Sequence, residues 1–172
     1  YLANMHFNEL LDHTAFEPQE INSAWGANDS TSAMKAFHVI AQKDTTSKWF
    51  MAYQTISSHE PWDVPYHRLS DKVQNAFAYT DHCVGQFLDS LSRSPLWENL
   101  LVVIYADHGH TYGLTFDQPE FFHMPLFLVG GAVKKVKNVD TIIAQNDIVA
   151  TMLKATLWRW DVPQQRRLLP AR

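Results

Sequence analysis

Asp107 and His108 stand directly behind the apolar run Leu100-Leu-Val-Val-Ile-Tyr-Ala106, with Gly109 and His110 next in line. A carboxylate oxygen and an imidazole nitrogen on adjacent residues form half of a divalent metal site when a rigid element holds them. A metal so held polarises a phosphoryl or sulfuryl oxygen and lowers the pKa of a bound hydroxyl. Gly109 lets the backbone turn away from the pair with no Cβ in its path. His59, in Ser57-Ser-His-Glu-Pro-Trp62, supplies an imidazole that can hydrogen-bond the non-bridging oxygens of such a group or protonate its leaving group. The structural alternative has Asp107 capping a turn and the histidines lying on the surface.

These residues can act together only if the chain's elements bring them together. Trp49-Phe-Met-Ala-Tyr-Gln-Thr-Ile56 is rich in aromatic and β-branched residues and reads as a strand. The following segment, Ser57 to Arg68, contains two prolines and reads as a loop. From Ser70, a helix N-cap, the residues Val73, Phe77, Thr80, Val84, Phe87, Leu88 and Leu91 mark one face of a long helix that ends near Ser94-Pro95. Leu100 to Ala106 is the next strand. Strand, helix and strand in succession predict a parallel pair with a right-handed crossover. His59 and the Asp107-His108 pair would then emerge side by side at the carboxyl edge of the sheet, where open α/β sheets bind ligands. Upstream, Asp29-Ser-Thr-Ser caps a helix carrying Ala33, Met34, Phe37, Ile40 and Ala41. Downstream come a loop with His110, Tyr112, Gly113 and Pro119, and a strand over 125–129 closed by Gly130-Gly131. A last helix, capped by Asn146 or Asp147, carries Ile148, Met152, Leu153 and Leu157.

At 172 residues and 46% hydrophobic content the chain can bury a core, and a single domain over 1–172 is expected. A net charge of −4 argues against nucleic-acid binding, although Arg159, Arg166, Arg167 and Arg172 make the C-terminus locally basic. The lone Cys83 lies in a helical pattern and reads as a small buried residue rather than a nucleophile. No apolar run approaches the roughly 20 residues that cross a bilayer, so any membrane anchor is expected outside these residues. Position 1 is Tyr and the chain opens in mid-pattern, as removal of upstream sequence or processing to a mature terminus would leave it.

Four stretches in order, Thr55-Ile-Ser-Ser-His-Glu-Pro-Trp62, the helical 75–91, Asn99 to Gly109, and His123-Met-Pro-Leu-Phe-Leu-Val-Gly-Gly131, resemble the C-terminal part of a sulfatase-like catalytic domain. The resemblance is to the lipoteichoic acid synthase and phosphoglycerol transferase family of the alkaline phosphatase superfamily. Ser23-Ala-Trp-Gly-Ala-Asn-Asp29 is similar to the Trp-Gly-x-x-Asp segment that precedes the first of these strands, and the likeness covers about positions 20 to 157.

The resemblance implies an α/β fold, an alkaline-phosphatase-like sandwich with a mixed, largely parallel sheet flanked by helices. It implies that Asp107 and His108 are metal ligands and that His59 is the catalytic and substrate-binding histidine on the phosphate. His123 matches a position that is sometimes a histidine near the site, with a strand-edge role as the alternative. Trp62 and Tyr66 either wall the substrate pocket or anchor their loop. The implied cofactor is one divalent metal ion, manganese first, with magnesium and zinc as alternatives. The implied activity is metal-dependent transfer or hydrolysis of phosphoglycerol- or phosphoethanolamine-type lipid headgroups, outside the cytoplasm, through a covalent phospho-threonine intermediate. The nucleophile and the remaining ligands would come from the upstream half of the same domain, so the 172 residues alone are expected to be inactive. A sulfatase acting on sulfate esters and a non-catalytic module that keeps the fold for binding are the alternatives.

Overall fold

A computed structural model describes residues 2–111 and 113–155; Tyr112, Leu157, Arg159, Arg166, Arg167 and Arg172 lie outside the described residues. The regular elements are α1 (Asp29–Ala41), α2 (Lys72–Ser92), β1 (Val102–Tyr105), β2 (Leu126–Val129) and α3 (Gln145–Ala155), joined by loops and short 3-10 turns. The architecture is α/β, a small sheet with helices. The chain forms two compact units, one of residues 1–104 with 126–134 and the other of 105–125 with 135–172.

In the first unit the helices begin one residue away from their expected caps. Asn28 caps α1 by accepting from the Thr31 amide at 3.1 Å, and Asp71 caps α2 by accepting from the Gln74 amide at 2.8 Å. Asp29, expected as a cap, lies inside the first turn of α1 and is wholly buried. The apolar face of α2 is also rotated from expectation. Ala76, Tyr79, Cys83 and Leu91 are buried, whereas Phe77 is exposed. The cause is the preceding loop, which lays Val64 against Ala76, Tyr79 and Cys83, with Trp62 and Tyr66 at the margin.

A second cluster joins Ile40 of α1, Leu91 of α2 and Leu96 to Phe37, Trp49, Met51, Phe87, Trp97, Leu100 and Val102. Leu91 is 1% exposed at its centre. Truncating such a residue to Ala costs about 2–5 kcal/mol through lost burial and the cavity left behind.

The run 49–56 departs from the expected strand. Its side chains Trp49 and Met51 share a cluster with Leu100 and Val102 of the β1 region, yet it forms no β-bridge. The backbone at its end is satisfied instead by a carboxylate, since the Ile56 amide donates to Asp29 Oδ1 at 2.7 Å. The predicted parallel pairing of this run with β1 is therefore absent among the described residues. The sheet consists of β1 and β2. The amides of Gly131 and Ala132 donate to the carbonyls of Trp97 and Leu100, so the chain leaving β2 returns to the residues that lead into β1. The two strands thus run in opposite directions. Gly130 makes this return possible: its φ is +116°, and a Cβ there would lie 2.1 Å from the Leu100 carbonyl oxygen.

Candidate active site

His59 lies three residues past the end of the run 49–56, in the first unit. Its exposed ring is held from two sides. The Trp25 indole meets it edge-on with centroids 4.6 Å apart, and the Trp62 indole stacks beside it at 6.4 Å. The Trp25 Nε1–H donates to the carbonyl of Glu60, the next residue, and the Trp62 amide donates to the His59 carbonyl at 3.0 Å. Trp62 itself has a φ of +63° and packs edge-on against Phe77 at 5.9 Å. The imidazole Nδ1 is 3.1 Å from the Glu60 carbonyl oxygen. A carbonyl can only accept, so Nδ1 carries the hydrogen and Nε2 is the atom left to accept or pass a proton.

In the second unit, β1 ends and the chain presents Asp107 and His108 to solvent. Their side chains are 76% and 70% exposed, and His108 Nε2 lies 3.7 Å from Asp107 Oδ2. His108 Nδ1 donates to the Gly109 carbonyl at 2.8 Å, which leaves Nε2 as the ring atom that can face a ligand. A ring fixed through Nδ1 in this way is oriented as metal-ligating histidines are. Asp107 Oδ1 accepts from the His108 amide at 3.0 Å, and Oδ2 is open on the side of Nε2. The donor set therefore fits one half of a divalent site. Among the described residues no group of three or more His, Cys, Asp or Glu could hold a metal ion.

Two further contacts fix this turn. The side-chain amide of Gln145, the first residue of α3, donates to the carbonyls of Ala106 at 3.0 Å and Asp107 at 2.8 Å. Gly109 meets the 119–122 turn so closely that a Cβ would stand 1.9 Å from the Phe121 carbonyl oxygen. His123 follows that turn with an exposed side chain, its amide donating to Glu120 at 3.1 Å. Gly109 thus has the expected role, and the contact shows what the missing side chain avoids.

The predicted residues divide between the units: His59 with Trp62 in one, Asp107 and His108 with His123 in the other. Trp62 and Tyr66 pack against the α2 cluster, which is the loop-anchor role, while Trp62 also touches His59. Cys83 is buried and burial pushes its thiol up, away from nucleophilic reactivity. Burial, with Cys83 beside it, raises the Tyr79 phenol to about 12, and burial also raises that of Tyr53. Sequence reasoning missed Trp25, Asp29 and Gln145. Only the Trp25-Gly-x-x-Asp29 segment carried a signal, and its aspartate read as an ordinary cap.

The fold is that of the alkaline phosphatase superfamily. A crystal structure of a superfamily protein from Vibrio parahaemolyticus superposes with a TM-score of 0.63 at 23% identity, covering 72% of this chain and 32% of that one. Residues 2–156 match the model of the Sulfatase family, and the chain belongs to that family. Among curated proteins, one named Sulfatase from Formosa agariphila is 30% identical over 83 residues, covering 45% of this chain and 16% of that protein. Arylsulfatase K of Canis lupus familiaris is 28% identical over 85 residues, covering 44% and 15%. The matches thus span about a sixth of the length of these relatives. Members of the superfamily are enzymes that use a divalent metal.

Proposed function

We propose that the protein transfers or hydrolyses the phosphate ester of a phosphoglycerol- or phosphoethanolamine-type lipid headgroup. Asp107 and His108 would supply part of the shell of one divalent ion, manganese first, whose contribution is to neutralise charge on the oxygens of the reacting group. The observation that carries this reading is the exposed pair at the end of β1, with Asp107 Oδ2 and His108 Nε2 3.7 Å apart and Nδ1 already engaged. When protonated at Nε2, His59 donates from that atom to a non-bridging oxygen and can give the proton to the departing ester oxygen. The nucleophile is a threonine outside these residues, which gives up its hydroxyl proton to water as its oxygen bonds to phosphorus and the ester bond breaks. The remaining ligands, the upstream half of the domain and a membrane anchor belong to the same proposal, with the reaction outside the cytoplasm. No described helix is long and apolar enough to cross a membrane.

Hydrolysis of sulfate esters is the second reading, favoured by the names of the curated relatives. The two share a tetrahedral oxyanion and differ in the central atom. Full-length protein incubated with manganese, magnesium or zinc and either bis(4-nitrophenyl) phosphate or 4-nitrophenyl sulfate separates them. Metal-dependent release from the phosphodiester alone is the expected result, and release from the sulfate alone selects the second reading. Release from neither, in protein shown to carry metal, contradicts both.

A further inference from the structure

Asp29 is wholly buried, and its carboxylate is out of reach of solvent. Its oxygens are fully used by other parts of the chain. Oδ1 accepts from the amides of Ile56 at 2.7 Å and Ser57 at 3.1 Å, and Oδ2 accepts from the Thr80 hydroxyl of α2 at 2.6 Å. In return the Asp29 amide donates to the Ser57 hydroxyl at 2.9 Å. The Tyr53 hydroxyl lies 2.9 Å from that of Ser32 and 3.4 Å from the Asp29 carbonyl, extending the same network. One residue in the first turn of α1 therefore ties the end of the 49–56 run to both long helices.

That end leads directly to His59. Beyond the histidine, Trp25 from the segment just ahead of α1 grips the Glu60 carbonyl and packs on the imidazole. The histidine loop is thus fastened on both sides by residues 25 and 29, four positions apart.

A carboxylate that two amides and a hydroxyl satisfy needs no ligand of its own, and an apolar core would tolerate an uncharged residue more cheaply. A buried charge with all its bonds directed at one loop is suited to fixing that loop.

We infer that Asp29 is the positioning residue for His59: its carboxylate fixes the backbone at Ile56 and Ser57, and so sets where the imidazole stands between Trp25 and Trp62. The inference rests on the reading of His59 as the group that meets the substrate oxygens. A hydrogen-bond anchor of this kind tolerates Asp29→Asn, because the amide oxygen still accepts from both backbone amides and the Thr80 hydroxyl can turn to accept from the new NH2. Asp29→Ala removes both acceptors and frees the loop. A ring displaced by about 1 Å loses roughly a hundredfold in rate.

Three measurements on the full-length protein test this. In the wild type the amides of Ile56 and Ser57 should resist hydrogen exchange; exchange as fast as in an open loop would overturn the inference without any variant being made. With histidine labelled at Cε1, the His59 ring signal should be displaced by the neighbouring indoles in wild type and Asp29→Asn. It should move to the free-histidine position in Asp29→Ala; an unmoved signal there overturns the inference. In turnover, Asp29→Ala should lower kcat about as far as His59→Ala, with Asp29→Asn within about threefold of wild type, and the double variant should be no slower than His59→Ala alone. A further loss in the double variant, or an Asn variant as slow as His59→Ala, assigns Asp29 to the fold alone. Wild-type turnover in His59→Ala would remove the role of His59, and the exchange and ring-signal results would still decide whether Asp29 places it.

Discussion

Replacing Gly109 by Ala should disable the metal pair without touching either ligand. The added Cβ would stand 1.9 Å from the Phe121 carbonyl oxygen, where ordinary contact begins at 3.4 Å, so something must move by about 1.5 Å. Backbone is what it meets, and no flexible side chain can swing aside. Phe121 is buried, with the Phe116 ring tilted against it at 4.7 Å and the Phe122 ring edge-on at 5.1 Å, so the 119–122 turn yields poorly. The displacement falls on the exposed turn that carries Asp107 and His108. Overpacking of this kind costs about 1–3 kcal/mol. Catalytic groups misplaced by about 1 Å lose roughly a hundredfold in rate. We expect Gly109→Ala in the full-length protein to weaken divalent metal binding at least tenfold, read by calorimetric titration, and to lower turnover about a hundredfold. The fold should survive. Wild-type metal affinity and turnover in a folded Gly109→Ala protein would refute the reasoning that this glycine sets the ligand pair.

The opposite substitution effect is expected in the middle of α2, where a Cβ on Gly85 meets nothing within 4 Å. Gly85→Ala should raise stability by about 1 kcal/mol, read from denaturant midpoints, with turnover unchanged. In alkaline solution, Tyr79 at about 12 in the fold and 10.0 unfolded keeps its proton longer in the native state. Its contribution is therefore complete below pH 10 and lost as pH rises toward 12, a slope that Tyr79→Phe should reduce in thermal melts followed from pH 9 upward. Gln145→Ala removes both donors to the carbonyls of Ala106 and Asp107, and should weaken metal binding by about tenfold while sparing a core it does not enter.

The helices and the two strands were legible because apolar spacing, caps and flanking glycines mark them locally. Asp29-Ser-Thr-Ser announced α1 within a residue, and the glycine pair closed β2 where expected. The pairing of the 49–56 run was not legible, since a ladder depends on a partner that spacing within one segment does not identify. Its side chains reached the predicted neighbourhood of β1 without its backbone doing so. Asp107, His108 and Gly109 were readable as an exposed pair before a tight turn because that chemistry is contiguous. Gln145 lies 38 residues from Asp107, and an amide that binds two carbonyls leaves no pattern in the chain. Asp29 failed to stand out for another reason: a capping aspartate and a buried one that ties three segments look the same in sequence.

Metal content tests the central claim most directly. Full-length wild type, Asp107→Ala and His108→Ala, each equilibrated with manganese and with zinc and freed of loose ions, should be compared by elemental analysis beside a circular dichroism check of the fold. Loss of one ligand from a four-ligand site should empty it, so both folded variants should retain little metal where the wild type holds one ion. Full occupancy in both variants would contradict the assignment of Asp107 and His108 as ligands, and with it the proposed reaction.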